Sequence, residues 1–317
     1  MAIQFDPTHW ALVLGGSSGF GLATAQKLAR HGMNVAVVHR DRKGAMAGIE
    51  PEFDKIRRRG VGFAAFNTDA LTDEGRKHVL DDLAGRLGDA GRIRLVMHSI
   101  AYGNLKLLAP TSAEYGRMSR EARGGIAASL GLSEQAISSA VQAVLSRPEG
   151  PAVASLADPP AYDNDALLED EDFARTVYSM GTSLASWARD VFSRGLFAPS
   201  ARVVGMTSEG NEVAWRGYAA VSAAKAALEA VSRSIALELG PYGITSNVVQ
   251  AGVTDTPALR LIPGSDRLKA DALLRNPKGR LTTPSDVADF ICLLCTDEAA
   301  WVNGDVLRVD GGEHVCG

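Results

Sequence analysis

An apolar run, Trp10-Ala11-Leu12-Val13-Leu14, feeds directly into Gly15-Gly16-Ser17-Ser18-Gly19-Phe20-Gly21, and helical spacing follows from Phe20 to Ala29. Few architectures accommodate that order. A continuous apolar run that short is a strand buried on both faces, which calls for a parallel sheet covered by helices on either side. The glycines then require a turn too tight for side chains. Gly15 permits the sharp bend, Gly19 lets the backbone approach a ligand, and Gly21 allows the helix to pack closely on the sheet. The helix start offers free N–H groups and a partial positive charge to a phosphate. Gly15, Ser17, Ser18, Gly19, Phe20 and Gly21 therefore read as a dinucleotide cradle, because they sit after a buried strand and before a helix.

The same rhythm recurs along the chain. Val35–Val38, Val61–Phe66, Ile93–Met97, Arg202–Met206, Thr245–Val249 and Val306–Val309 are expected strands, and Asp73–Leu87, Asp172–Phe197, Tyr218–Leu239 and Pro284–Leu294 expected helices. The charged stretch up to Arg59 is expected to be a solvated helix or loop. Seven strands with helical crossovers predict an α/β fold over residues 1–317, a doubly wound Rossmann domain with a seven-stranded parallel sheet. The rhythm fails between Gly103 and about Asp165, a stretch rich in Ala, Ser and Gly with Pro148, Pro151, Pro159 and Pro160 near its end. There Ser133 to Leu145 has helical spacing, with Ser133 as its N-cap. This is an expected inserted helical segment with one or two helices. It leaves the sheet at the carboxyl ends of the strands, where a long connection tends to serve as a lid.

Composition excludes several classes. With 46% apolar and 22% charged residues the 317-residue chain is not disordered as a whole, and a net charge of −4 gives no electrostatic case for nucleic acid or an anionic membrane. No apolar run approaches the ~18 residues needed to cross a bilayer, and Met1 to Trp10 lacks an apolar signal-peptide core, so a cytoplasmic protein is expected. Cys292, Cys295 and Cys316 are too few and too clustered for a disulfide framework or a zinc site. No metal is expected, and Cys292 and Cys295 read as packing residues.

The end of the second strand selects the dinucleotide. A carboxylate there would accept from a ribose 2′-hydroxyl, whereas a cation accommodates a 2′-phosphate. This chain has His39 and Arg40, followed by Asp41, Arg42 and Lys43. Arg40 suits a bidentate phosphate contact, and Asp41 comes one step late for the acidic role. NADPH is expected over NADH.

Together these features resemble the short-chain dehydrogenase/reductase family over nearly the whole chain outside the insertion. The residues that carry the resemblance are Gly15-x-x-x-Gly19-x-Gly21, Asp69-Ala70, Ser208 ahead of Tyr218 and Lys225, Asn247-Val248-Val249-Gln250-Ala251-Gly252 with Thr256, and the ending from Asn303 to Gly312. Six residues separate Tyr218 from Lys225, where the ketone- and alcohol-specific branch has three. His98-Ser99-Ile100-Ala101-Tyr102 and Ala251-Gly252 likewise resemble the enoyl-acyl-carrier-protein reductase branch. The resemblance implies a catalytic set of Tyr218, Lys225 and Ser208, with Tyr102, Ser208 and Tyr218 facing substrate. It also implies cofactor contacts from Asp69, Ala70, Ser99, Ile100, Ala101, Lys225, Gly252, Val253 and Thr256, added to the cradle, His39 and Arg40. Residues seven apart lie along one helix face, about 10.5 Å in rise, so Lys225 can reach back toward a ribose. Its charge is expected to favour donation by the Tyr218 hydroxyl.

Two departures matter, the first against that branch and the second against ordinary carbonyl reduction. Ser208 occupies the place of its second tyrosine and matches the serine of ketone-reducing relatives, with a turn or cap role as the alternative. The asparagine that ketone-reducing relatives carry on the fourth helix is absent, with Met180 and Gly181 in that region. The expectation is an NADPH-dependent enoyl thioester reductase, its acyl group on acyl carrier protein or coenzyme A. A ketone or 3-oxoacyl reductase is the alternative, and a regulatory dinucleotide-binding protein without turnover a third reading. The resemblance also implies a homotetramer or homodimer.

Overall fold

A computed structural model describes residues 3–145, 147 and 149–316, so Met1 and Pro148 lie outside the described residues. Seven strands form one sheet in the order β3-β2-β1-β4-β5-β6-β7, and every pairing is parallel. They are β1 (His9–Leu14), β2 (Asn34–His39), β3 (Phe63–Asn67), β4 (Arg92–His98), β5 (Phe197–Thr207), β6 (Thr245–Ala251) and β7 (Val306–Val309). The helices are α1 (Gly19–Arg30), α2 (Met46–Arg57), α3 (Asp73–Leu87), α4 (Arg117–Leu130), α5 (Glu134–Leu145), α6 (Asp170–Val177), α7 (Ser183–Ser193), α8 (Ala219–Leu239), α9 (Pro257–Arg260), α10 (Ser265–Arg275) and α11 (Pro284–Leu294). The strand order reverses direction at β1 and β4, which opens a crevice between their carboxyl ends.

Alternate residues of each strand supply the two faces. Leu12, Leu14, Ala36, Val38, Val96 and Val203 join one buried cluster with Leu83, Trp187 and Leu228 from α3, α7 and α8. Ala11, Val13, Val35, Val37 and Val249 join the other with Leu28, Phe53 and Ile291 from α1, α2 and α11. Cys292 and Cys295 pack within this second cluster, where burial raises their thiols to about 11 and about 12. At the amino end of the sheet two buried arginines close the end of α11. Arg202 donates to the Leu294 and Thr296 carbonyls, and Arg94 to Cys295 and the Asp297 carboxylate.

Local capping fixes several ends. Thr72 accepts from Gly75 N–H ahead of α3, with Asp73 and Glu74 in its first turn. Thr283 and Asp286 form a reciprocal box around Pro284 at the start of α11.

The charged stretch before Arg59 holds the helix α2, mostly solvated as expected but burying Phe53 and Ile56 completely. Three expectations need correction. The helix expected over Asp172–Phe197 is two helices joined by a π-helical turn, Tyr178–Thr182, and Phe197 already belongs to β5. The third strand begins at Phe63, two residues late. Helix α8 begins at Ala219, so Tyr218 is its N-cap residue with φ −109°.

The segment 103–165 carries α4, α5 and a 3-10 run, Gly150–Leu156. Ser133 Oγ accepts from Ala136 N–H at 3.2 Å, as an N-cap does. A small cluster of Ala127, Ile137, Val141, Leu145, Ala154 and Ala157 forms its core, completed by Ala270 of α10. Buried Arg123 binds the Leu156 carbonyl at 2.8 Å and Asp158 at 2.6 Å.

Candidate active site

The glycine turn lies where β1 and β4 part. Gly15 N–H donates to the Val38 carbonyl and Ser99 N–H to the Leu14 carbonyl, both at 2.8 Å. Gly15 has φ +83°, and a Cβ there would stand 2.5 Å from the Ser99 carbonyl oxygen. A Cβ on Gly21 would meet the Gly15 carbonyl oxygen at 2.2 Å. Gly21 is thus required by the turn itself, whereas the sequence predicted a helix–sheet contact. Gly19 needs its φ of +54° and faces only Thr256 at 3.6 Å. Ser18 caps α1 without a side-chain bond, and no acid occupies the first turn. The helix start therefore keeps its N–H groups free of side-chain acceptors, which fits a pyrophosphate. Phe20 and Ile100 instead pack against the two buried clusters.

At the ends of β2 and β3 the expected dinucleotide residues separate. His39 is buried, bound to Asp41 at 2.9 Å and packed edge-on against Phe53. Arg40 is half-exposed; its Nη1 binds Asp69 at 2.7 Å, and its guanidinium lies 4.5 Å over the Tyr102 ring. Tyr102 and then Asp69 hold the arginine above its ordinary pKa, against the effect of burial. Tyr102 was expected to face substrate, yet its ring stands against Arg40. Asp69 Oδ1 accepts from Leu71 N–H, and the Ala70 carbonyl accepts from buried Trp187 at 2.9 Å.

Ser208, Tyr218 and Lys225 meet at the carboxyl end of β5. Ser208 Oγ is buried and makes no side-chain cap bond, while the Ser208 carbonyl accepts from Asn211 N–H at 3.2 Å in the turn that follows. Burial raises the Tyr218 phenol, and the neighbouring Ser208 hydroxyl is the one group that pulls it down. Lys225 is buried, and its Nζ donates to the Met206 carbonyl at 2.8 Å. Burial lowers it to about 8 against the opposing charge of Glu229. Lys225, expected to favour donation by the Tyr218 hydroxyl, turns its ammonium to the Met206 carbonyl in β5, and burial is the largest influence on the phenol. A three-residue spacing before Lys225 would put the tyrosine at position 221, where Val221 is buried against Met180 and Ala224. Gly181 gives the reason no asparagine fits beside it, since a Cβ there would stand 2.6 Å from the Ala224 carbonyl oxygen.

Several residues here escaped the sequence. His98 is fully buried, with Nε2 2.8 Å from Ser183 Oγ. Its pKa falls to about 3, first through burial and then through the Lys225 charge, so the ring is neutral. Glu229, one turn beyond Lys225, accepts from Thr207 at 2.6 Å and Asn211 at 2.7 Å. Glu209, Arg275 and Glu313 form an ion cluster beside Val253. Only Glu229, at i+4 from Lys225, left a local signal. The other partners lie far apart in sequence.

The chain is similar to known proteins. Residues 9–103 match the family described as short chain dehydrogenase, and residues 151–314 that described as enoyl-(acyl carrier protein) reductase. The uncharacterized oxidoreductase YjdA of Bacillus subtilis is 34% identical over 148 residues, 47% of this chain and 56% of the relative. The 3-oxoacyl-acyl-carrier-protein reductase FabG of Escherichia coli is 30% identical over 148 residues, 47% of this chain and 60% of the relative. The chain thus spans less than two thirds of these curated relatives. The crystal structure of the enoyl-acyl-carrier-protein reductase (NADH) from Aquifex aeolicus superposes with TM-score 0.70 at 22% identity, covering 98% of this chain and 97% of that one. At that identity the superposition bears on the fold.

Proposed function

We propose, for a chain that belongs to the short-chain dehydrogenase/reductase family, that it reduces the C=C bond of an enoyl thioester with NADPH. The observation that carries this reading is the Tyr218–Lys225 spacing, with Val221 buried at the alternative tyrosine position. NADPH, when bound, supplies a hydride from its nicotinamide. Gly15, Ser17, Ser18, Gly19 and the first turn of α1 would hold its pyrophosphate, Arg40 its 2′-phosphate, and Val253 and Thr256 its nicotinamide end.

The chain's own part is to manage charge on the substrate carbonyl oxygen. Tyr218, raised by burial, is a neutral O–H donor at pH 7, and Ser208 offers a second hydroxyl that no protein group occupies. Charge builds on that oxygen as the β-carbon is reduced, so donors aimed at it act chiefly on the transition state. The last proton goes to carbon and can come from water, so no relay to oxygen is required. Lys225, held by the Met206 carbonyl, keeps a cation at the inner wall. The 103–165 segment flanks the same space: Arg216 lies 4.7 Å over the Tyr115 ring, two residues before Tyr218, and Pro160 abuts Gly264 at the start of α10. Acyl carrier protein or coenzyme A is the carrier this reading implies.

A second reading, 3-oxoacyl reduction by Ser208, Tyr218 and Lys225, draws the stronger support from the curated relatives, among which FabG reductases recur. The test is NADPH consumption on crotonyl against acetoacetyl thioester. The first reading expects the crotonyl substrate to be consumed and the acetoacetyl one spared; the reverse preference replaces it with the second. Tyr218→Phe is expected to lower turnover ~10²–10⁴-fold with NADPH binding nearly intact. Unchanged turnover would remove Tyr218 from the mechanism.

A further inference from the structure

Three charged side chains from distant parts of the chain meet behind the segment Gly252–Thr256. Glu313 follows the two positive-φ glycines Gly311 and Gly312 and is 3% exposed. Its Oε2 accepts from Val253 N–H at 3.1 Å, and its Oε1 lies 3.3 Å from Arg275 Nη2. Arg275 ends α10 and grips Glu209 with both arms of its fork, at 2.7 and 3.0 Å. Glu209 directly follows Ser208, and in the same turn a Cβ on Gly210 would strike the Tyr218 ring at 2.4 Å. The neighbouring Asn276 donates to the Asp310 carbonyl at 2.9 Å. The slot is shaped for this carboxylate: a Cβ on Gly252 would stand 2.8 Å from Glu313 Oε2 and 2.5 Å from Thr282 Oγ1.

We propose that Glu209, Arg275 and Glu313 form a latch that holds α10 against the site. Glu313 is the positioning residue that fixes the Val253 backbone while Arg275 fixes the turn under Tyr218. The inference rests on the reductase reading, since the substrate and the nicotinamide end would occupy the space between those two backbones. One arginine shared by two carboxylates couples the two sides, so loosening either pair releases α10. A buried carboxylate that merely stabilised the fold would sit below its ordinary pKa. Burial instead holds Glu313 up at about 6, with the Val253 N–H and Arg275 opposing and Glu209 and Asp310 adding to the rise. The other charges around the cluster are His314, bound to Asp310 at 2.5 Å, Asp271 acting on Arg275, and Lys278 alongside Gly311. Because the closed latch holds that carboxyl above its ordinary range, it is firmest with Glu313 protonated, below about pH 6, and loosens as the group ionises above it.

Hydrogen exchange of the full chain at pH 5.5 and 7.5, corrected for intrinsic rates, reads the latch without any ligand. Arg275→Met is expected to speed exchange across residues 265–276 by roughly tenfold at pH 7.5, with Arg275→Lys recovering part of the protection. Glu313→Gln keeps an acceptor for Val253 but should abolish the difference between the two pH values, without lowering the melting temperature. In turnover with NADPH, Arg275→Met should raise the thioester KM more than it lowers kcat. Wild-type exchange in Arg275→Met, or an intact pH step in Glu313→Gln, overturns the latch. Failure of the wild type to bind NADPH would overturn the reductase reading instead, and the exchange arms would still judge the latch.

Discussion

The sheet and the described part of the 103–165 segment are held by different means. The sheet is sandwiched between two clusters of Leu, Val, Ile, Phe and Trp, with Trp187 and Leu12 fully buried. The inserted segment has a small core, half of it alanine, a buried arginine at its edge, and one wall, Ala270, lent by α10. Small side chains bury little area each, so the segment leans on the helix that also carries the latch. The comparison implies that the cofactor half of the site is rigid and the substrate half is adjustable.

The sharpest test of that contrast cuts a leucine from each region. Leu12→Ala should cost about 2–5 kcal/mol as one global transition, with NADPH binding lost in parallel. Denaturant titration followed by both circular dichroism and cofactor fluorescence would show it, and separated transitions would break the comparison from the sheet side.

Arg40→Ala isolates the cofactor edge. It should weaken NADPH by about 1.5–3 kcal/mol, the worth of a charged hydrogen bond, leaving NADH and the thioester KM unchanged. Binding titrations with both dinucleotides check this, and equal losses would reassign Arg40 to the Asp69–Tyr102 contact alone. Leu145→Ala should fall near the low end of the cavity range, about 2 kcal/mol, because the segment can relax around it. Its effect belongs in hydrogen exchange of α4 and α5 and in the thioester KM, with the melting of the sheet unmoved. A matching shift in sheet stability would show the two regions to be one cooperative unit.

The smallest effect concerns Glu313, which borders both regions. Its folded pKa of about 6 lies above the ordinary 4.5, so the unfolded chain loses that proton first as pH rises. The group therefore costs stability that grows between pH 4.5 and 6 and stays constant above, at most about 2 kcal/mol. Glu313→Gln should match the wild type near pH 4 and melt higher at pH 7.5. A lower melting point at pH 7.5 would mean that the ion cluster stabilises the fold.

What the sequence made legible follows the same division. Each strand announced itself by local apolar runs, and α5 by Ser133 as its cap, since all of that information lies within a few residues. The glycine turn was readable for a like reason, because only backbone strain explains three glycines there. The break at Tyr178–Thr182 was not, since a π turn leaves apolar spacing almost intact. Helix α2 could not be told from a loop among its charges, as Phe53 and Ile56 are only two buried residues among twelve. Ser208, Tyr218 and Lys225 were found through spacing and resemblance, whereas Glu209, Arg275 and Glu313 were not. They lie 38 and 66 residues from one another in the cluster's two ion pairs, and only tertiary contact defines them.

The two ends of the sheet are fastened by different chemistry. Arg94 and Arg202 bind the closing carbonyls of α11 at the amino end. At the opposite rim Lys225 and Glu313 change charge near pH 8 and pH 6. A proton gained or lost at that rim is thus felt beside the space where substrate and the nicotinamide end would lie. The base of the fold is a clasp of guanidinium on carbonyl, and the rim is an instrument that acidity can retune.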